Sequence, residues 1–64
     1  MYVNGQRRVH RDGLTLHALL AELSVDRRNV VVMHGEDIYR TQAIPDVPVH
    51  EPDVIEIVTM MQGG

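Results

Sequence analysis

One helical stripe constrains the architecture of this chain more than any other feature. Leu16, Leu19, Leu20 and Leu23 fall at i, i+3, i+4 and i+7, so they line a single face of a short helix. Thr15 stands just before them, where its hydroxyl can accept a bond from a free N–H of the first turn. His17, Ala21 and Glu22 lie off the stripe. A helix this short is marginal in water and depends on packing against something else. A single stripe needs one matching apolar face, and a mixed sheet supplies it. The expected fold class is therefore α+β, one main helix packed on a mixed sheet of four or five strands.

The strands can be placed from local chemistry. Met1 to Val3 and Gln6 to His10 read as a hairpin joined by Asn4-Gly5, since both turn residues tolerate the positive φ of a type I′ turn. Met1, Val3 and Val9 are the expected core residues of that hairpin. Arg11-Asp12-Gly13 turns the chain towards the helix, and Ser24 to Asn29, with Arg27-Arg28, reads as a solvated loop. Val30-Val31-Val32-Met33 is β-branched and apolar almost throughout, the pattern of a central strand buried on both faces or nearly so. His34-Gly35-Glu36 reads as a turn and Ile38-Tyr39 as a short edge strand. Thr41 to His50 has no clear period, and Pro45 and Pro48 within it, with Pro52 just beyond, each remove a backbone donor. Glu51-Pro52-Asp53 suits a tight turn into a last strand, where Ile55 and Ile57 flank Glu56 with period two.

Size and composition narrow the function. Sixty-four residues make a single domain, 1–64, too small to enclose an active site of its own. Cysteine is absent, which removes disulfides, thiolate nucleophiles and thiolate metal ligands together. Two tyrosines offer no stacking platform for bases, and a net charge of −3 repels phosphates, so no nucleic-acid partner is expected. All six basic residues are arginine, so no side-chain amine is present for isopeptide attachment. No apolar run approaches the length of a membrane span, and Met1 opens directly into a strand pattern; the expectation is a cytoplasmic protein with no membrane partner. His10, His17, His34 and His50 are scattered over different elements with no i, i+4 pair, and no metal site is expected. They read as surface or turn residues, and Asp12, Glu22, Glu51 and Asp53 as solvent or loop charges.

The last strand runs into Met61-Gln62-Gly63-Gly64. Glycines lack Cβ atoms, so their backbone can enter a narrow channel and adopt φ/ψ values closed to other residues. Residues 60–64 are expected to form an extended, flexible tail, and its last four residues reach about 13 Å when fully extended. The expectation is a terminal carboxylate, on Gly64, offered to another protein, with Gly63, Gln62 and Met61 lying in that partner's channel. If Ile55 and Ile57 face the helix, alternation turns Val54, Glu56 and Val58 outward, and Met60 with them. Val58 and Met60 then form an apolar ridge beside the reactive end and are the expected docking residues, methionine being adaptable to more than one partner.

The hairpin–helix–strand order, the length, and the path from Asn4-Gly5 through the leucine stripe to Ile55-Glu56-Ile57-Val58 and Gly63-Gly64 resemble the ubiquitin-like β-grasp sulfur carriers. The chain looks most like the ThiS family of thiamine biosynthesis. That resemblance implies a non-catalytic co-substrate with no bound cofactor. An E1-like adenylyltransferase would consume ATP to adenylate Gly64, and a persulfide donor would convert the adenylate to a thiocarboxylate. A thiazole synthase would accept the sulfur. Two alternatives share the fold. One is a carrier for molybdopterin synthesis or a ubiquitin-like modifier, and molybdopterin subunits tend to be longer than this chain. The other is a β-grasp interaction module of the TGS kind, against which the acidic charge and the Gly-Gly end both count. A ferredoxin-like β-grasp would need cysteines for its cluster.

Overall fold

Asn4 and Gly5 take φ of 52° and 79°, and so reverse the chain between β1 (Tyr2–Val3) and β2 (Gln6–Arg7). Both angles are positive, as a type I′ turn requires. The computed structural model of the chain describes residues 1–60. After the hairpin come α1 (Leu16–Glu22), β3 (Val30–His34), β4 (Asp37–Tyr39) and β5 (Val54–Thr59). The five strands form one sheet in the order β2-β1-β5-β3-β4. β1 and β5 run parallel at its centre and every other pair is antiparallel, so the sheet is mixed as expected.

The helix begins where the sequence places it. Thr15 is the N-cap and its Oγ1 accepts from the Ala18 N–H at 3.3 Å. Leu16, Leu19 and Leu20 are fully buried and Leu23 is half-buried against the same core. Their partners in the core are Val3, Val30, Val32 and Ile55 on the sheet, with Met1 just before it. Past the helix, Ser24 carries a φ of 58°. Its N–H donates to the Ala21 carbonyl and that of Val25 to Leu20, a Schellman closure with serine where glycine is usual. This closure turns Val25 back onto the core, so the loop expected to be wholly solvated contributes an apolar anchor.

Two expectations about the core require correction. Val9 is 94% exposed, and β2 ends at Arg7 instead of reaching His10. The ladder is limited by its partner: β1 begins at Tyr2, and the Arg8 N–H already donates to the Met1 carbonyl, leaving no strand for Val9 to pair with. Conversely, the aperiodic crossing supplies Ile44 and Val49 to the core and packs Val47 against it, beside Leu14. That segment is tied to the start of the helix. The Leu16 N–H donates to Val47 at 2.8 Å and the Val49 N–H to Leu14 at 2.9 Å, across a single bridge between Thr15 and Pro48. Pro48 fits because the bonds run through its neighbours and its missing donor is not used.

Candidate functional site

β5 lies between β1 and β3 and is the last element among the described residues. Its register sets two faces. Ile55 and Ile57 share the helix side with Val32 and Val30, whereas Val58 sits opposite Val31 and Glu56 opposite Met33 on the outer side. Ile55 is fully buried and Ile57 packs against the core, whereas Val54, Val58 and Met60 are exposed on the outer face, Val58 and Met60 each to 46%. The alternation expected from Ile55-Glu56-Ile57 is therefore present. Met61, Gln62, Gly63 and Gly64 lie outside the described residues.

The outer face is broader than the ridge of Val58 and Met60. Pairing places Tyr2 beside Val54, and Ile38 beside Met33, on that same side. Tyr2 and Ile38 are both exposed, and Val31 and Met33 are half-buried between them and β5. The result is an apolar surface across four strands with Glu56 in its midst and Arg7 at its β2 rim, since Arg7 pairs with Tyr2. Period-two reading of Met1-Tyr2-Val3 signals Tyr2. Val31 and Met33 are hidden in the sequence because an unbroken apolar run carries no facing signal, and Ile38 because Ile38-Tyr39 is too short to show a period.

The histidines do structural work that their spacing conceals. His10 Nε2 lies 2.6 Å from the Val49 carbonyl and His17 Nε2 lies 2.6 Å from that of Ile44, so each ring donates to the aperiodic crossing. The His17 backbone N–H also donates to Asp46 Oδ1 at 3.1 Å. Side chains thus satisfy carbonyls that no strand partner reaches. His34 is the last residue of β3, not a turn residue, and its Nε2 lies 2.6 Å from Asp53 Oδ2. The same oxygen accepts the His50 N–H at 2.8 Å. Asp53 is only 21% exposed and braces the turn that launches β5, so it is not the free loop charge its sequence setting implies. Burial pushes its carboxyl pKa up, but the bonds from His50 and His34 outweigh that and hold it below the ordinary aspartate value. Elsewhere Arg11 pairs with Glu22 and Arg28 with Asp26, both at exposed positions where such pairs contribute little. Among the described residues no group of three or more His, Asp or Glu side chains is placed to hold a metal ion, and no helix is long and apolar enough to cross a membrane.

A single helix gripped by a five-stranded mixed sheet, with parallel first and last strands at its centre, defines a ubiquitin-like β-grasp domain. The ThiS family model matches residues 1–64, and the chain belongs to that family of sulfur carriers. It is 36% identical to the sulfur carrier protein ThiS of Thermus thermophilus, over the whole chain and 98% of that relative. It is also 36% identical over 64 residues to a thiazole synthase of Paramagnetospirillum magneticum, of whose length it spans 20%.

Proposed function

We propose that this chain is a single-domain sulfur carrier whose Gly64 carboxylate is activated and then bears the sulfur used to build a thiazole. The observation that carries this reading is the match of the ThiS family over residues 1–64, Gly63-Gly64 included. The likeness to a thiazole synthase supports an enzyme of that class as acceptor and favours thiamine over molybdopterin chemistry.

A carboxylate is a poor acyl donor because its leaving group would be an oxide. In the proposed sequence Gly64 attacks the α-phosphate of ATP in the site of an E1-like adenylyltransferase, and pyrophosphate leaves. The terminal sulfur of a donor persulfide then attacks the acyl carbon and AMP leaves, giving an acyl disulfide. A second thiol cleaves that disulfide, releasing the thiocarboxylate and forming a new disulfide on the donor side. ATP is the partner's substrate, and the carrier needs no cofactor of its own. Gly63, Gln62 and Met61 would occupy the partner's channel. Val58 and Met60 would anchor the outer sheet face next to it, where they are already exposed.

Incubation with ATP, the cognate activating enzyme and a persulfide donor tests this. Intact-mass analysis should show one oxygen exchanged for sulfur, localised to Gly64 by fragmentation. No ATP-dependent change with a demonstrably active enzyme contradicts the proposal.

A further inference from the structure

β5 is held differently along its two edges. On the β3 side it is paired from His34↔Ile55 to Val30↔Thr59, and beyond the ladder the Met60 N–H donates to the Asn29 carbonyl at 2.7 Å. On the other side β1 offers only Tyr2 and Val3, opposite Val54 and Ile55. The Gly35–Val54 and Asn29–Met60 bonds direct the even-numbered residues of β5 towards β3, so the Ile57 N–H points to the side where β1 has already ended. Asn4 continues the ladder there. Its backbone N–H donates to the Ile55 carbonyl at 2.9 Å, and its side-chain Oδ1 accepts the Ile57 N–H at 2.7 Å. A turn residue thereby replaces the strand residue that β1 lacks.

We propose that Asn4 is a positioning residue for the end of β5: its bond to Ile57, opposed by the Asn29–Met60 bond on the far edge, fixes the segment from Ile57 to Met60 that precedes the reactive residues. This rests on the reading of Gly64 as the adenylated group. A strand clamped along one edge can pivot about it, and a bond on the opposite edge removes that freedom. Val58 and Met60 lie on the segment so held, and a partner that docks on them while taking Gly64 needs that segment in one place; misplacement of a reacting atom by about 1 Å can cost on the order of a hundredfold in rate. The turn itself does not demand this side chain, since Asn-Gly, Asp-Gly and Gly-Gly all serve a type I′ turn.

That equivalence supplies the test. Asn4→Gly keeps the turn and removes the acceptor, and Asn4→Asp keeps both. The full chain and the two variants are compared with the cognate activating enzyme by ATP-dependent pyrophosphate release, by calorimetric Kd, and by amide hydrogen exchange at Ile57. Asn4→Gly should expose the Ile57 amide and lower kcat about fivefold or more at unchanged Kd. Asn4→Asp should restore both protection and kcat. Wild-type kcat in Asn4→Gly despite loss of Ile57 protection overturns the positioning role, as does an Asn4→Asp variant no better than Asn4→Gly. A wild-type chain that releases no pyrophosphate overturns the tail chemistry itself, and the positioning role with it.

Discussion

Replacing Asp53 by alanine separates a side-chain brace from the backbone turn it supports. The turn's own bonds remain in the variant: the Asp53 N–H donates to the His50 carbonyl, and the Tyr2 N–H donates to the Asp53 carbonyl. What disappears is the oxygen that accepts the His50 N–H at 2.8 Å and lies 2.6 Å from His34 Nε2. Bonds to a charged acceptor contribute about 1.5–3 kcal/mol each. The His50 N–H can recover water, whereas the His34 side chain, 12% exposed, recovers it poorly. We therefore expect a loss of about 2 kcal/mol at pH 7, or about 8–16 °C in Tm for a domain of this size. The folded carboxyl titrates below its unfolded value. Its contribution is thus complete above the unfolded pKa of about 3.9 and is lost as pH falls through the folded value. Urea unfolding of both proteins from pH 7 to pH 3 should show a steady gap that narrows below about pH 4. A gap under about 0.5 kcal/mol at pH 7, or one that widens on acidification, would refute this account of the turn.

Three further outcomes are expected. Leu20→Ala, at a fully buried site under the sheet, should cost about 2–5 kcal/mol in chemical denaturation, and a loss below about 1 kcal/mol would contradict its place in the core. Ser24→Gly should raise stability by about 0.5–1 kcal/mol, because it relieves a left-handed φ of 58° without touching a buried group; a lower Tm would show that the serine side chain contributes there. Val58→Glu and Met60→Glu should weaken calorimetric binding to the activating enzyme and the thiazole synthase about tenfold or more while melting near wild type, and unchanged affinity in both would move the docking surface elsewhere, with Arg27-Arg28 next.

The parts of the fold legible in the sequence are those governed by near neighbours along the chain. Asn4-Gly5, Thr15 with its leucine stripe, and the alternation at Ile55-Glu56-Ile57 each carry their own geometry, and each is found in place. What was hidden depends on who stands opposite. Val9 looks like a strand residue until β1 proves too short to pair with it. Ile44, Val47 and Val49 show no period because their burial is arranged by bonds from Leu16, His10 and His17 instead of a ladder. Asp53 looks like an ordinary turn acid until the last residue of β3 is brought beside it. In the candidate site, Val58 and Met60 follow from parity, while Tyr2 and Ile38 join them only once strand order is known. Asn4 is legible as a turn former, but its bond to Ile57, across 53 positions of sequence, is not.

The central claim is that sulfur leaves this chain from Gly64 and enters a thiazole. A single-turnover experiment tests it most directly: the chain is loaded with radiolabelled sulfur, freed of donor and ATP, and mixed with a thiazole synthase and its remaining substrates. The account predicts that the label moves into the thiazole product while the carrier returns to its unmodified mass, and that a chain lacking Gly63 and Gly64 neither loads nor donates. Label retained on the carrier in the presence of an active synthase, or loading that survives loss of the two glycines, would contradict it.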